Sequence, residues 1–187
     1  MARTEVRGPS DESLVEAAKR GEVRALEALL DRHQGKVLRV LGFLGVPAQD
    51  REDVAQDIFV RVFRHLDGFR RGRPFGGWLY RMTVNAAHDY RGRRSRLIRE
   101  EAPWGPDMEA EKDLGPGPAE SYRQQELLEA LETAMEDLSE RERAVFALKE
   151  LEGLETGEVA RTLGITSITV RRHLARARKR LKALLGD

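Results

Sequence analysis

Residues 156–178 read TGEVARTLGITSITVRRHLARAR. Thr156 can cap a short helix in which Val159, Ala160 and Leu163 recur at helical spacing and turn inward. Gly164 supplies a tight turn, and Ile165 plugs the corner behind it. Thr166 or Ser167 then caps a second helix, with Val170 and Leu174 inward. Helix, glycine turn and helix in this apolar register form a helix-turn-helix, which lays its second helix in the major groove of DNA. With Val170 and Leu174 buried, Ile168, Thr169, Arg171, Arg172, Ala175 and Arg176 fall on the open sides of that helix, and Ser167 stands at its start. Arginine bridges two acceptors on guanine, and small or apolar side chains touch thymine methyls. Arg178, Lys179, Arg180 and Lys182 continue as a tail suited to phosphate, which positions the helix without reading sequence.

The rest of the chain is arranged around charge. Its 187 residues carry a net charge of only +1, with 40% hydrophobic and 35% charged residues. The near-zero sum hides two basic blocks. Residues 70–99 hold Arg70, Arg71, Arg73, Arg81, Arg91, Arg93, Arg94, Arg96 and Arg99 against Asp89 alone, and residues 171–182 hold seven cations and no acid. Between them lies a stretch with Glu100, Glu101, Asp107, Glu109, Glu111, Asp113 and Glu120, broken by Pro103, Pro106, Pro116 and Pro118. Two cationic blocks on either side of an acidic, proline-rich spacer predict two surfaces that meet nucleic acid, joined by a linker.

Helical periodicity covers most of what remains, and strand-like alternation is nearly absent. Ser10 and Asp11 cap a helix through Leu14, Val15 and Ala18 that stops at Gly21. A second helix carries Leu26, Leu29, Leu30, Val37, Val40 and Leu41, ending at Gly42, Gly45 and Pro47. A third runs from Asp50 to Leu66, with Val54, Ile58, Phe59, Val62, Phe63 and Leu66 as an expected inward stripe. After a glycine-rich loop over residues 67–77, a fourth runs from Trp78 to Arg94. Beyond the linker, residues 126–135 are helical, and Ser139 with Glu142 makes a capping box. The expected fold is all-α, with two small helical domains, residues 1–99 and 123–187, joined by a flexible linker over residues 100–122.

Several chemistries are excluded. With no cysteine there is no disulfide, thiolate nucleophile or cysteine metal site. No glycine loop ends in Lys-Ser/Thr and no His-Glu-x-x-His occurs. His33, His65, His88 and His173 are scattered, as packing or surface residues are. The expectation is a non-enzyme without cofactor or metal. No apolar run approaches the roughly 20 residues that span a bilayer. Residues 1–10 lack the apolar core of a signal peptide, so the cytoplasm is the expected location, without membrane insertion. In the first basic block, Phe75, Trp78, Tyr80 and Tyr90 are interleaved with arginine, as in surfaces that stack unpaired bases. The register of Trp78 favours the core instead, and Tyr80 fits either role.

Three stretches carry a resemblance to a known family. REDVAQDIFVRVFRHLDGF (51–69) followed by FGGWLYRMTVNAAHDYRGRR (75–94) resembles region 2 of extracytoplasmic-function sigma factors. LSERERAVFALKELEGLETGEVARTLGITSITVRRHLARARKRL (138–181) resembles region 4, and LVEAAKRGEVRALEALLDRH (14–33) fits the same family. The resemblance implies promoter-specific transcription initiation by a chain that binds core RNA polymerase, duplex −35 DNA and partly single-stranded −10 DNA, and that nucleates melting. It implies core-polymerase contacts for Asp53, Gln56, Asp57, Val60 and Arg64. It implies −10 contacts for Asn85, Tyr80, Arg81, His88, Arg91 and Arg73, with Asn85 at the position that reads a flipped-out base. An amide suits that task because it donates and accepts at a base edge. Asp89 fits better as the ion-pair partner of a nearby arginine. The family often has glycine where this chain has Ile168, so an apolar touch on the DNA or a shifted helix is expected there. An anti-sigma factor that wedges between the two domains is the partner the resemblance adds. The linker is either a tether or a strand threaded through a basic channel of the polymerase.

Overall fold

The computed structural model describes residues 8–70, 72–101 and 130–185, and no strand occurs among them. Helix α1 (Asp11–Lys19) starts where Ser10 Oγ accepts the Ser13 amide at 3.2 Å, and its Leu14 and Val15 are buried. Helix α2 (Val23–Phe43) buries Leu29, Val37, Val40 and Leu41. It runs through Gly42 and ends at Leu44. Helix α3 (Ala48–His65) buries Val54, Ala55, Ile58 and Val62 against it. A 3₁₀ turn (Leu66–Gly68) leads to helix α4 (Phe75–Glu101), which buries Phe75 and Leu79. These helices form the N-terminal unit.

Two expectations for α3 and α4 need correction. Phe63 is 67% exposed and does not belong to the inward stripe. At about 100° per residue it lies roughly 180° round the helix from Val54, beyond the stripe centred on Ile58 and Val62. Helix α4 begins at Phe75 rather than Trp78 and passes Arg94. Burial of Phe75 among Phe69, Trp78 and His33 overrides the weak helix propensity of Gly76 and Gly77. Trp78 packs on Phe69 and Phe75 at 5.2 and 5.8 Å, the core role its register favours.

The C-terminal unit comprises α5 (130–136), α6 (Glu140–Phe146), a π-turn (Ala147–Leu151), α7 (Thr156–Leu163) and α8 (Ser167–Leu185). Most of the expected linker, from residue 102 onward, lies outside the described residues. The Ser139–Glu142 capping box forms as expected. The cap of α7 is Glu155, boxed with Glu158, so Thr156 is the first helical residue rather than the cap. Val145, Leu148, Val159 and Val170 are fully buried. Ala144, Val145, Leu148 and Val159 join the apolar cluster of the N-terminal unit, while Phe43 of α2 is buried with Met135, Leu138 and Leu181. The two units thus pack on each other.

The turn between α7 and α8 depends on Gly164, at φ 64° and ψ 37°. A Cβ there would meet nothing within 4 Å, so only the left-handed backbone demands glycine. Gly164→Ala is expected to destabilise the protein by about 1–2 kcal/mol, read as a lower urea midpoint with unchanged slope.

Candidate nucleic-acid interface

Helix α8 is set by its own start. Thr166 Oγ1 accepts the Thr169 amide at 3.2 Å and lies 2.9 Å from Thr169 Oγ1. Val170 and Leu174 anchor the helix on α6 and α7. Ile168 is therefore 73% exposed, and Arg171, Arg172, Ala175 and Arg176 are exposed with it. Ser167 and Thr169 are half-buried at the edge of this face. Among the described residues, none of the three arginines pairs with a carboxylate. Their donors stand ready for base edges or phosphate.

The following cations differ from expectation. Arg178 pairs with Glu150 at 2.7 Å, and Arg180 with Glu142 at 2.8 Å. The tail is therefore not a uniform phosphate-facing strip, because two of its cations brace α8 on α6 and the π-turn. The Glu142 carboxylate is 4% exposed and also accepts the Ser139 amide and hydroxyl at 3.1 and 2.9 Å. Burial alone would raise its pKa, but Ser139 and Arg180 outweigh burial and hold it below the ordinary carboxylate range.

Helix α4 carries the second surface. Arg81, Asn85 and His88 fall one turn apart and are exposed, with Arg91 half-buried beyond them. They line a cleft of about 480 Å³ whose far wall holds Glu140, Arg141, Arg143 and Thr162 of the C-terminal unit. Arg73 lines a neighbouring cleft of about 380 Å³ together with Trp78, Arg81 and Arg161. Tyr80 is not on this face. It is 5% exposed, and its phenol donates to Glu152 at 2.6 Å. Burial first, then the neighbouring Glu152 carboxylate, push the phenol pKa far above its usual value. The hydroxyl is thus a fixed donor within this packing. Asp89 sits 3.6 Å from Arg61, the arginine pairing expected of it.

The third surface lies on α3. Asp53, Gln56, Asp57, Val60 and Arg64 are all exposed along one side, and Val60 is 46% exposed. Phe63 borders this face between Phe59 and Gln56, and sequence reasoning missed it. Its one available signal was an apolar residue on the rim of the stripe. The acids Glu132, Glu140 and Glu152, which meet the N-terminal unit, were also missed. They are dispersed in ordinary helical sequence and leave no local signature.

Comparison with known proteins decides among the readings of a helix-turn-helix with a second cationic helix. The family model described as Sigma-70 region 2 matches residues 29–97, and that described as Sigma-70, region 4 matches residues 128–181. The ECF RNA polymerase sigma-E factor of Escherichia coli strain K12 is 34% identical over 176 residues, covering 91% of each chain. The chain belongs to the extracytoplasmic-function sigma factors. As such it directs promoter-specific transcription initiation by RNA polymerase. The solved structure of CnrH in complex with the cytosolic domain of CnrY is similar over 94% of this sigma factor and 96% of that chain, at TM-score 0.71 and 29% identity. The sigma factor RpoE of Bartonella quintana, solved with the anti-sigma factor NepR, shares the fold over 91% of this chain and 97% of its own. Its TM-score is 0.61 and its identity 20%. In this sigma factor no described helix is long and apolar enough to cross a membrane, and no described cluster of His, Asp and Glu would hold a metal ion.

The buried Glu142 makes the C-terminal unit sensitive to acid. Its folded pKa is depressed, so its contribution is present above the unfolded value and lost as pH falls through the folded one. Stability is expected to hold from neutral pH down to about pH 5 and to decline below about pH 4. Glu142→Gln should flatten part of that decline in urea titrations across pH. An unchanged slope would mean that Glu142 is not a principal acid-sensitive group.

Proposed function

We propose that this sigma factor divides the promoter between its two units. Residues 1–99 grip core polymerase and the −10 element, residues 123–187 read the −35 element, and residues 100–122 connect them. The observation that carries this reading is the open face of α8. Arg171, Arg172 and Arg176 project from a capped, well-anchored helix beside the exposed Ile168, with no carboxylate partner among the described residues. Arginines restrained at the start of such a helix reach base edges in the major groove. Ile168 suits a thymine methyl. Ser167, Thr169 and Ala175 complete the contact as small side chains that let the backbone approach.

On α4, Asn85 is the group that holds a flipped −10 base, flanked by Arg81 and His88, with Arg91 and Arg73 on adjoining phosphates. Tyr80 contributes by packing rather than by stacking on a base. On α3, Asp53, Gln56, Asp57, Val60 and Arg64 form the polymerase-binding face, and Phe63 extends it. An aromatic side chain so far exposed on a charged helix suits the centre of a protein interface. The work is binding and strand separation rather than catalysis of a covalent step. It takes place in the cytoplasm, and an anti-sigma factor of the kind bound by the Bartonella relative is the proposed regulator. Two modest interfaces on one connector reinforce each other, so neither unit needs to bind tightly alone.

Run-off transcription with core polymerase and start-site mapping test the whole reading. Arg171→Ala or Arg176→Ala should cost roughly 1–3 kcal/mol of −35 binding if the arginine bridges a guanine, with relaxed preference at that base pair. A uniform, salt-dependent loss across sequences would assign that arginine to phosphate instead. Asn85→Ala should leave core association intact while open-complex formation falls. Unchanged melting in that variant would remove the flipped-base role.

A further inference from the structure

We propose that Lys19 is a positioning residue for −10 engagement: it fixes the direction in which the chain leaves Phe69 and so sets where Arg73 stands beside α4. This inference rests on the assignment of Arg73 to −10 DNA.

The connection from α3 to α4 is held at both ends. It leaves from the buried Phe69 and returns at the buried Phe75. The two rings meet edge to face with centroids 5.9 Å apart, and both pack on Trp78. Between them Gly72 takes φ 76°, and Arg73 reaches the cleft wall beside Trp78 and Arg81. Ring packing fixes where the segment starts and ends, but not how its first peptide plane is turned. Lys19 fixes that plane. Its Nζ donates to the Phe69 carbonyl at 2.6 Å and to the Asp67 carbonyl at 3.2 Å. Holding the Phe69 oxygen holds ψ of that residue, here 126°, because the planar peptide turns as one piece about ψ. Each further residue adds up to roughly 3.4 Å of reach. A tilt at Phe69 is therefore magnified into a large displacement at Arg73.

The helix that carries Lys19 is itself firmly seated. Lys19 is the last residue of α1, whose Leu14 and Val15 are buried. At the other end of α1, Asp11 pairs with Arg32 at 2.7 Å and with His33 at 2.8 Å, both on α2. The buried His33 ring packs on Phe75 at 5.3 Å. One short helix thus braces both limbs of the segment, Lys19 at its departure and Asp11, through His33, at its return. Lys19 is not among the residues lining either cleft, so it acts through Arg73 rather than by touching DNA. Its ammonium is half-buried, and a charged donor bonds carbonyls more strongly than a neutral one does. Methionine in its place would keep an apolar stem and leave both carbonyls without this donor.

The test uses holoenzyme, the full chain with core polymerase, on fork-junction DNA of a promoter this chain selects, with the −10 non-template strand unpaired. Lys19→Met and Arg73→Ala should each weaken binding about fivefold, the scale of one phosphate contact. Combined, they should weaken it no more than either does alone, since a displaced arginine has no contact left to lose. Lys19→Arg keeps a charged donor for the carbonyls and should restore most of the affinity. Hydrogen exchange of the peptide spanning residues 66–75 in the free chain should rise in Lys19→Met and stay low in Lys19→Arg. Circular dichroism and binding to −35 duplex check that every variant is folded. Losses that multiply to about 25-fold in the combined variant overturn the positioning role. So does full affinity in Lys19→Met while Arg73→Ala is impaired, or exchange that Lys19→Met leaves unchanged. If Arg73→Ala binds fully while exchange still rises in Lys19→Met, the positioning role falls because Arg73 does not meet −10 DNA, and the brace survives as a structural contact.

Discussion

Each helix of this protein can bury only one stripe, and that constraint places every functional group. Val54, Ile58 and Val62 commit one side of α3 to the core, so its charged side must face outward. Leu79 and Ala86 do the same for α4 and leave Arg81, Asn85 and His88 on a common outer line. Val170 and Leu174 do it for α8. The three proposed binding surfaces are the complements of three apolar stripes. Their precision depends on how firmly those stripes are held, rather than on any contact among the outward residues themselves.

Electrostatics then differentiates surfaces that share this construction. On α8, the cations near the helix start are unpaired among the described residues, while Arg178 and Arg180 further along are tied to Glu150 and Glu142. The tied cations hold the helix in register, and the free ones are those proposed to serve recognition. On α4, Arg91 and His88 have Glu140 nearby at distances where pairing is loose and solvent-screened. An arginine held so loosely exchanges partners at low cost, as the proposed −10 contact of Arg91 requires.

Much of this was legible in the sequence because it is local. The helix-turn-helix follows from the apolar register around Gly164, and the Ser139–Glu142 box from residues three apart. The all-α class likewise follows from periodicity, as does the exposure of Asp53, Gln56, Asp57 and Arg64 opposite the α3 stripe. What was missed depends on position around a helix or on distance along the chain. Phe63 sits at the rim of the α3 stripe, where periodicity alone does not separate core from surface. Glu155 took the capping place expected of Thr156 because a reciprocal glutamate box satisfies the same orphan amides. Tyr80 is drawn inward by Glu152, a partner 72 residues away that no local pattern announces.

The central claim is that cationic helix faces act on one promoter while α3 holds polymerase. Permanganate footprinting of unpaired thymines, on a promoter this chain selects, addresses it most directly. Reactivity across the −10 element should appear only when the chain and core polymerase are both present, and should weaken when the α3 face is altered by Phe63→Ser. A −10 element that stays unreactive with both components, or that reacts equally with core polymerase alone, would contradict the account.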